Sequence, residues 1–403
     1  MTQTVAQNGQ GSKPASPYNH GEYFGALDGF RGVLALLVAV YHTPWESWFN
    51  NTPFMDQGTV LIDLFFVFSG FLMFRLYGDK IHDVGAGRAF MVKRIARLYP
   101  IHFVMTMMFL AFALARILAH KIGLSTQEAG EVLPFAAGAP ENIWSLLSNL
   151  TLTQAMGLHD SLTFNPPSWT ISVEFFAYFV FIAMLIWAPP KRAFHFGLIG
   201  AGVAGLYVFL ASQKPNMDIT HDLAFWRCLA GFFTGVIGAR IYGIVIKDKS
   251  LNSVNSMSYT NILECAALLI YLLFVGYCGG KMQFLVGPVA LLFVVVFAQD
   301  KGFISRLMMR PVFGYLAKIS YSVYMIHVII AIVFDMFGGR ALSRIFGAGW
   351  HDTAVWGDLY ILPYLLVVIG CAHLSVIYIE RPGARLINHI FTRPKLASAR
   401  QTG

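Results

Sequence analysis

Ten stretches of this sequence are long and apolar enough to cross a lipid bilayer as helices. A span needs about 20 predominantly apolar residues. The windows that meet this length run approximately over 27–46, 58–77, 99–120, 169–188, 194–212, 222–245, 260–279, 282–299, 314–337 and 356–379. Only 12% of the residues are charged and 56% are hydrophobic, so a soluble chain could not cover such a core with polar surface. The sequence therefore predicts an all-α, polytopic membrane bundle of about ten transmembrane helices.

The lysines and arginines predict which side of the membrane each loop faces. Most of the 29 lie in one alternate set of loops, and that set includes both termini. Cytoplasmic loops of membrane proteins carry the excess of Lys and Arg. Both termini are therefore predicted to be cytoplasmic, and the net charge of +8 is explained by orientation rather than by a nucleic-acid partner.

The ends of the chain differ in composition from its apolar body. Residues 1–21 are polar and lack the apolar stretch of a cleavable signal peptide, so we predict a disordered tail. Residues 22–390 form the predicted transmembrane domain, and 391–403 form a short basic tail. The longest stretch outside the spans, 121–168, contains a predicted short amphipathic helix at Asn142–Gln154.

The first span carries two polar residues, Arg31 and His42, eleven positions apart. At about 100° and 1.5 Å per residue, they project from one helix face and lie roughly 16 Å apart along it. Arg31 is thus expected near the cytoplasmic end and His42 in the outer part of the membrane. Ionisable residues inside a membrane are functional candidates. The structural alternative is that Arg31 reaches the interface and His42 is a hydrogen-bonded core residue.

The next two spans add an acidic residue and a pair of arginines. Asp63 is expected within the membrane or at its surface, and the Ser69-Gly70 step permits close helix approach, which packing alone would explain. Arg94 and Arg97 lie three positions apart on one helix face at the cytoplasmic surface. Guanidinium groups at this spacing suit a phosphate-rich ligand. The alternative is ordinary positive charge at the cytoplasmic side.

The fourth span places a carboxylate in the outer part of the membrane. Ser168 precedes the apolar run and is predicted to cap the helix, and Glu174 follows about two turns later. An unpaired carboxylate at that depth would be expensive. Because Glu174 and His42 are predicted at comparable depth, we expect them to pair as orienting group and base. A structural ion pair is the alternative.

Polar groups also recur in the ninth and last spans. Ser320, Tyr324 and His327 fall on one helical stripe, which indicates a polar seam facing other helices. Glu380 and Arg381 are adjacent at the cytoplasmic edge, where an ion pair is the expected role.

Taken in order, these stretches resemble the acyltransferase-3 family of bacterial membrane O-acyltransferases. The resemblance covers roughly residues 22–390. Its motifs are R-x10-H at Arg31–His42, D-x-F-F-x-x-S-G-F-L at Asp63–Leu72, R-x-x-R-x-x-P at Arg94–Pro100, S-W-x-x-S-V-E at Ser168–Glu174, I-S-Y-x-x-Y-x-x-H at Ile319–His327 and I-E-R-P at Ile379–Pro382. The sequence departs from the family pattern at Phe175-Phe176 and Met325-Ile326, and neither pair carries an expected role.

The resemblance implies roles for these residues. It makes His42 the catalytic histidine, with Arg31 in the same essential motif, and it assigns Arg94 and Arg97 to an acyl donor, typically acetyl-CoA. Supporting polar or packing roles are expected for Asp28, Asp63, Ser69, Gly70, Ser168, Trp169, Ser172, Tyr324 and His327. Some members carry a fused C-terminal hydrolase-like domain. This chain ends about 20 residues past its last predicted span, so a separate periplasmic partner would have to supply that function if it is needed.

The expected function is transfer of an acyl group, with acetyl favoured, from cytoplasmic acyl-CoA to a hydroxyl of a cell-surface or lipid-linked carbohydrate. The expected location is the bacterial inner membrane, and His42 is expected to act as general base, oriented by Glu174. A covalent acyl-histidine or acyl-serine relay is the mechanistic alternative. No cluster with metal-ligand spacing occurs, so neither a metal nor a bound cofactor is expected, and acyl-CoA serves as co-substrate.

Two other classes of membrane protein compete with this interpretation. A transporter or flippase would also line its helices with His, Arg and Glu, but residues 22–190 and 194–390 contain no matching motif pairs of the kind an inverted repeat would give. A scaffold or assembly protein would not need polar groups at matched depths.

The predicted orientation can be tested with reporter fusions. Fusions after Arg192 and after Lys249 should report a cytoplasmic location, and a fusion at Lys214 should report the outer side, because Lys and Arg are retained in cytoplasmic loops. Paired alkaline phosphatase and fluorescent-protein reporters measure both outcomes. The inverse pattern would contradict the expectation that the acyl donor binds from the cytoplasm and the acceptor from the outer side.

Overall fold

The computed structural model describes residues 23–124, 132–247, 257–339 and 354–392, together with residues 344 and 347. The predicted N-terminal tail, and the C-terminal tail beyond residue 392, lie outside these residues. Regular structure in the described part of the chain is helical, and no β-strand occurs there. The predicted all-α fold is confirmed.

The helices overlap the predicted windows, with short helices in the connections. The largest differences are that the helix predicted at 99–120 begins 15 residues earlier, at Val84, and that the one predicted at 27–46 ends five residues earlier, at Tyr41. In chain order they are α1 (Gly25–Tyr41), α2 (Pro53–Asp56), α3 (Leu61–Tyr77), α4 (Val84–Lys121), α5 (Ile143–Leu150), α6 (Trp169–Trp187), α7 (Ala193–Gln213), α8 (Ala224–Lys247), α9 (Met257–Tyr277), α10 (Val286–Phe297), α11 (Phe303–Met308), α12 (Pro311–Val333), α13 (Ala354–Ser375) and α14 (Arg381–Thr392). Short 3₁₀ turns precede α3, α6 and α10, and π turns follow α12 and α13.

Each predicted span coincides with one of these helices. Within the described residues, eight helices are long and apolar enough to cross a membrane, by length and composition. The two predicted spans outside this set are α1, which is 17 residues long, and α8, which carries Arg227 and Arg240. A polytopic helical bundle is therefore the architecture of the chain.

Close helix contacts hold the bundle together. The most extensive packing is between α3 and α8 and between α1 and α12. A Cβ on Gly70 would lie 1.7 Å from the carbonyl oxygen of Phe232, and one on Gly235 would lie 2.1 Å from that of Val67. Only glycine fits at either position, so α3 and α8 touch backbone to backbone, as small residues allow in membrane bundles.

Two carboxylates, one half-buried and one fully buried, satisfy the ends of helices that lack a cap of their own. Asp300 accepts hydrogen bonds from the first amides of α1, at Gly25 and Ala26, both at 2.9 Å. Glu264 of α9 accepts from the amides of Gly302, Ile304 and Ser305 at the start of α11. The first amides of a helix are unpaired and carry partial positive charge, so these carboxylates anchor α1 and α11.

The connection between α4 and α6 contains the predicted amphipathic helix, which is α5. Asn142 begins it with a capping box, accepting from the amide of Ser145 while the Ser145 hydroxyl accepts from the amide of Asn142. The helix ends at Leu150 rather than at Gln154. Its existence was predicted correctly, and its C-terminal boundary was placed four residues too late.

Candidate active site

Side chains from five helices converge on one cavity in the bundle. It lies between α1, α3, α4, α6 and α12. Its charged lining residues are Asp28, Arg31, Arg94, Arg97 and Glu174. The structure thus brings together Arg31, the two predicted donor arginines and Glu174, which come from separate parts of the sequence.

The two predicted donor arginines have different surroundings. Arg94 packs its guanidinium over the rings of Tyr77 and Phe90, 5.5 and 5.3 Å from their centroids, and donates to the hydroxyl of Tyr77 at 3.4 Å. Arg97 also lines the cavity, but within the described residues it makes no hydrogen bond or ion pair. Arg94 is therefore held in place, and the guanidinium of Arg97 keeps hydrogen-bond donors available at the cavity.

Arg31 forms an ion pair with Asp28, one turn earlier on α1. The guanidinium nitrogen lies 3.2 Å from the carboxylate oxygen, and both side chains line the cavity. The supporting role of Asp28 in the reaction stays a prediction.

Glu174 belongs to a small hydrogen-bond network at the centre of the cavity wall. Its carboxylate accepts from the hydroxyl of Ser69 and, at 2.7 Å, from that of Tyr178. The two hydroxyls lie 3.4 Å apart. Ser69 therefore does more than allow close packing, because its hydroxyl is directed at the carboxylate.

His42 lies at the end of α1, outside the group of residues that line this cavity. Its Nδ1 is 2.9 Å from the carbonyl oxygen of Val38, and its ring lies 5.0 Å from those of Tyr41 and His327. The side chain is exposed. Among the described residues no hydrogen bond joins His42 to Glu174.

The expected pairing of His42 with Glu174 is therefore wrong as a contact. Helix periodicity and orientation place residues along the membrane normal, and they do not determine which helices are neighbours. Glu174 faces α3 and bonds Ser69, whereas His42 faces α12 and His327. The roles of His42 and Glu174 individually remain predictions.

The predicted seam on α12 is formed, and it connects the cavity to His42. Ser320 and Tyr324 line the cavity. The Tyr324 ring lies 5.8 Å from that of His327, which is fully buried. Glu380, expected in an ion pair with Arg381, instead accepts a hydrogen bond from the hydroxyl of Ser322 on α12.

Asp63 forms a fully buried ion pair with Arg227 of α8. Arg227 donates from Nε and Nη2 to the two carboxylate oxygens, at 3.0 and 2.7 Å, and both side chains are 0% exposed. Its remaining donors reach the carbonyls of Ile219 and Thr59. The sequence analysis did not pair these residues, although opposite charges inside apolar spans are expected to form ion pairs.

The S-W-x-x-S segment at the start of α6 contacts the connection that precedes the helix. The Ser168 side chain caps nothing, contrary to the prediction, and it accepts from Gln154 at 3.1 Å. A 3₁₀ turn at Pro166–Ser168 already leads into the helix, so the serine hydroxyl is free for that contact. Ser172 donates to the carbonyl of Leu152 at 2.6 Å, and Trp169 packs under the Arg227 guanidinium.

Comparison with known proteins identifies the family. A family model described as an acyltransferase domain matches residues 24–380. The chain belongs to this family. The predicted resemblance is thereby confirmed over nearly the whole described chain.

Several known proteins are similar to this member of the family. A protein of Staphylococcus aureus (strain COL), named as a predicted O-acetyltransferase, is 22% identical over 92% of this chain and 59% of its own length. The acyltransferase MdmB of Streptomyces mycarofaciens is 26% identical over 47% of each chain. Protein 2 in the picA locus of Rhizobium radiobacter is 39% identical over 20% of this chain and 41% of its own.

The acyltransferase-domain chain thus spans 59% of the length of its Staphylococcus aureus relatives. No solved structure matches it.

The Asp63–Arg227 pair should be essential for folding of this acyltransferase-domain chain. Asp63→Asn or Arg227→Gln should each cost about 3–5 kcal/mol, because either leaves one buried charge without its partner. The double variant should lose less than the sum of the two single losses. Membrane abundance and the melting temperature of detergent-purified protein measure this, and strictly additive losses would contradict the coupling.

Proposed function

We propose that the chain is an O-acyltransferase of the bacterial inner membrane. It would move an acyl group, with acetyl favoured, from cytoplasmic acyl-CoA to a hydroxyl of a cell-surface or lipid-linked carbohydrate. The observation that carries this proposal is the cavity in which Arg31, Arg94 and Arg97 converge beside an apolar wall. The names of two relatives, an O-acetyltransferase and an acyltransferase, agree with acyl transfer.

The cavity has the chemistry that an acyl-CoA requires. Phosphate groups pair well with guanidinium groups. The guanidinium of Arg97 makes no hydrogen bond or ion pair with the described residues, so it is available to a phosphate. Next to the arginines, the walls are apolar, with Leu72, Met73 and Leu76 on α3. The phosphates would therefore bind at Arg94 and Arg97, and the thioester arm would extend along the apolar wall.

His42 has the features of the base that accepts the proton of the acceptor hydroxyl. A carbonyl can only accept, so the contact with Val38 assigns the hydrogen of the neutral ring to Nδ1. Nε2 then carries the lone pair. As the acceptor oxygen bonds to the acyl carbon and the carbon–sulfur bond breaks, the proton passes to Nε2 and then to the departing sulfur.

A relay through Ser69 is the alternative mechanism. Its hydroxyl donates to the Glu174 carboxylate inside the cavity, and a hydroxyl bonded to a base is the arrangement of an activated nucleophile. In that mechanism Ser69 would carry the acyl group before the acceptor does.

Replacement of His42 tests the proposed reaction. Inverted membrane vesicles of the native host, with its endogenous acceptor, would be supplied with [¹⁴C]acetyl-CoA. His42→Ala should lower label transfer by about 10²–10⁴-fold, as loss of a general base does, with abundance and melting temperature unchanged. His82→Ala, at an exposed histidine outside the site, is the control. Near-normal transfer by a stable His42→Ala protein would contradict the proposal.

The donor site makes a separate kinetic prediction. In the same vesicles, Arg97→Ala should raise the KM for acetyl-CoA by roughly tenfold or more, the value of a lost charged hydrogen bond. Arg97→Lys keeps the charge but lacks the planar guanidinium, so its KM for acetyl-CoA should lie between those of the wild type and Arg97→Ala. Arg88→Ala removes an exposed arginine of the same helix and should leave the KM unchanged. Equal KM values for the wild type and the three variants would contradict a donor-binding role for Arg97. Its positive charge would then serve only to orient the protein in the membrane.

A further inference from the structure

The candidate cavity follows α3 along most of its length. Its lining on α3 begins at Ile62, in the first turn, and ends at Leu76, in the last. Fourteen positions separate the two residues, or about 21 Å at 1.5 Å per residue. In the predicted orientation, Leu76 lies at the cytoplasmic end of the cavity and Ile62 at the outer end. A donor that enters from the cytoplasm would therefore extend along α3.

The two ends of the cavity differ in exposure. At the cytoplasmic end, Tyr23 is 50% exposed and Arg97 is half-buried. At the outer end, the lining residues Ile62, Ile171 and Tyr324 are 8%, 2% and 9% exposed. The cavity is therefore open beside the arginines, and it has a closed end on the outer side.

Two aromatic rings meet at the closed end. Phe65 of α3 and Tyr324 of α12 both line the cavity, and their ring centroids lie 6.2 Å apart. Ile62 lies about one turn of α3 beyond Phe65, towards the outer side. Phe65 is half-buried, whereas Phe68 of the same helix is 1% exposed and packs against Phe293. Phe65 thus faces the space of the cavity, and an occupant of the closed end would touch its ring.

The distance from the arginines to the closed end matches the length of the donor arm. The Arg94 guanidinium lies 3.5 Å from the sulfur of Met73 and 3.4 Å from the hydroxyl of Tyr77. Ile62 is eleven positions before Met73, or roughly 16 Å along α3. The arm of CoA has about twelve bonds between its diphosphate and its sulfur, which reach roughly 14 Å at about 3.3–3.6 Å per three bonds. A donor held at Arg94 would thus place its thioester close to Ile62.

We propose that Ile62, Phe65 and Tyr324 limit the length of the acyl group that the protein transfers. The thioester of a bound donor would lie beside these side chains, so a short acyl group fits and a longer one meets the two rings. This inference rests on the proposed function, and it adds the residues that select among acyl donors. It also places the acyl group at the end of the cavity that has the predicted depth of His42, the proposed base.

Phe65 is the side chain through which this limit can be changed. Its ring is half-buried, so its replacement removes less packing than replacement of the buried Ile62 or Tyr324. Discrimination by a single methylene in an apolar pocket is worth about 10–200-fold. An enlarged closed end should therefore give a readily measured change in selectivity.

Transfer from donors of different chain length tests the limit. Inverted vesicles with endogenous acceptor would be given radiolabelled acetyl-, butyryl- or octanoyl-CoA, and kcat/KM would be measured for each donor. Wild type should use acetyl-CoA at least about 100-fold better than octanoyl-CoA, since several methylenes must be excluded. Phe65→Ala should raise the ratio of butyryl to acetyl kcat/KM by roughly tenfold or more. Phe65→Trp, which fills the closed end further, should lower that ratio.

Phe74→Ala is the matched control. Phe74 is another half-buried phenylalanine of α3, but it packs against Phe196 of α7 and lies outside the group of residues that line the cavity. The same atoms are removed from the same helix, so the butyryl-to-acetyl ratio should stay within about twofold of wild type. The ratio compares two donors on one preparation, so it does not depend on abundance. Phe65→Leu, a milder change, should shift the ratio in the same direction as Phe65→Ala.

The outcomes separate this inference from the function on which it rests. Equal or better use of octanoyl-CoA by wild type would overturn the limit. An unchanged ratio in the Phe65 variants, or an equal shift in Phe74→Ala, would overturn it as well. Absence of transfer from every donor by wild-type vesicles would instead refute the proposed function. Transfer of acetyl with an unchanged ratio in the Phe65 variants leaves the function standing and removes only the role of the closed end.

Discussion

The ion pair between Asp63 and Arg227 is the interaction on which the rest of the site depends. Removing a carboxylate and a guanidinium from water costs several kcal/mol each, and only good geometry offsets that cost. Here two parallel hydrogen bonds join the charges, and two backbone carbonyls accept from Nη1 and from the second hydrogen of Nη2. Asp63 lies in the first turn of α3 and Arg227 in that of α8. Their pairing therefore fixes the register of these helices, since a slip of one turn, about 5.4 Å, would leave both charges unpaired.

That register determines where the polar residues of the cavity lie. With α3 and α8 locked together, Gly70 meets the backbone of Phe232, where a Cβ has no room. The preceding residue, Ser69, is then directed away from α8 and towards Glu174 on α6. The D-x-F-F-x-x-S-G-F-L motif thus places an ion pair and a backbone contact on the side of α3 that faces α8, and a hydroxyl on the side that faces α6. Its spacing follows from packing against two different neighbours at once.

The sequence was sufficient to predict the helices and to single out the five charged residues that line the cavity. Apolar windows predict spans well because lipid leaves the backbone few alternatives to a helix, and costly polar groups such as Asp63 and Glu174 mark the interior of a bundle. Lateral arrangement was not predictable in the same way. Sequence periodicity gave Glu174 and His42 similar depths, yet they face different helices. Ser168 was misassigned for a related reason, because a tertiary contact with Gln154 replaced the local cap that its position favours.

The length of α1 constrains how an acceptor reaches His42. Its 17 residues extend roughly 26 Å at 1.5 Å per residue, which is less than the roughly 30 Å of a bilayer core. Asp300 holds the first amides of this helix, and in the predicted orientation that end is cytoplasmic. His42, directly after the last residue of α1, then lies below the outer surface of the bilayer rather than above it. In the proposed reaction, the acceptor hydroxyl would therefore have to reach into the outer part of the bilayer to meet the imidazole. Attachment to a lipid would hold an acceptor close to that depth, so the proposed reaction favours a lipid-linked carbohydrate over a free glycan.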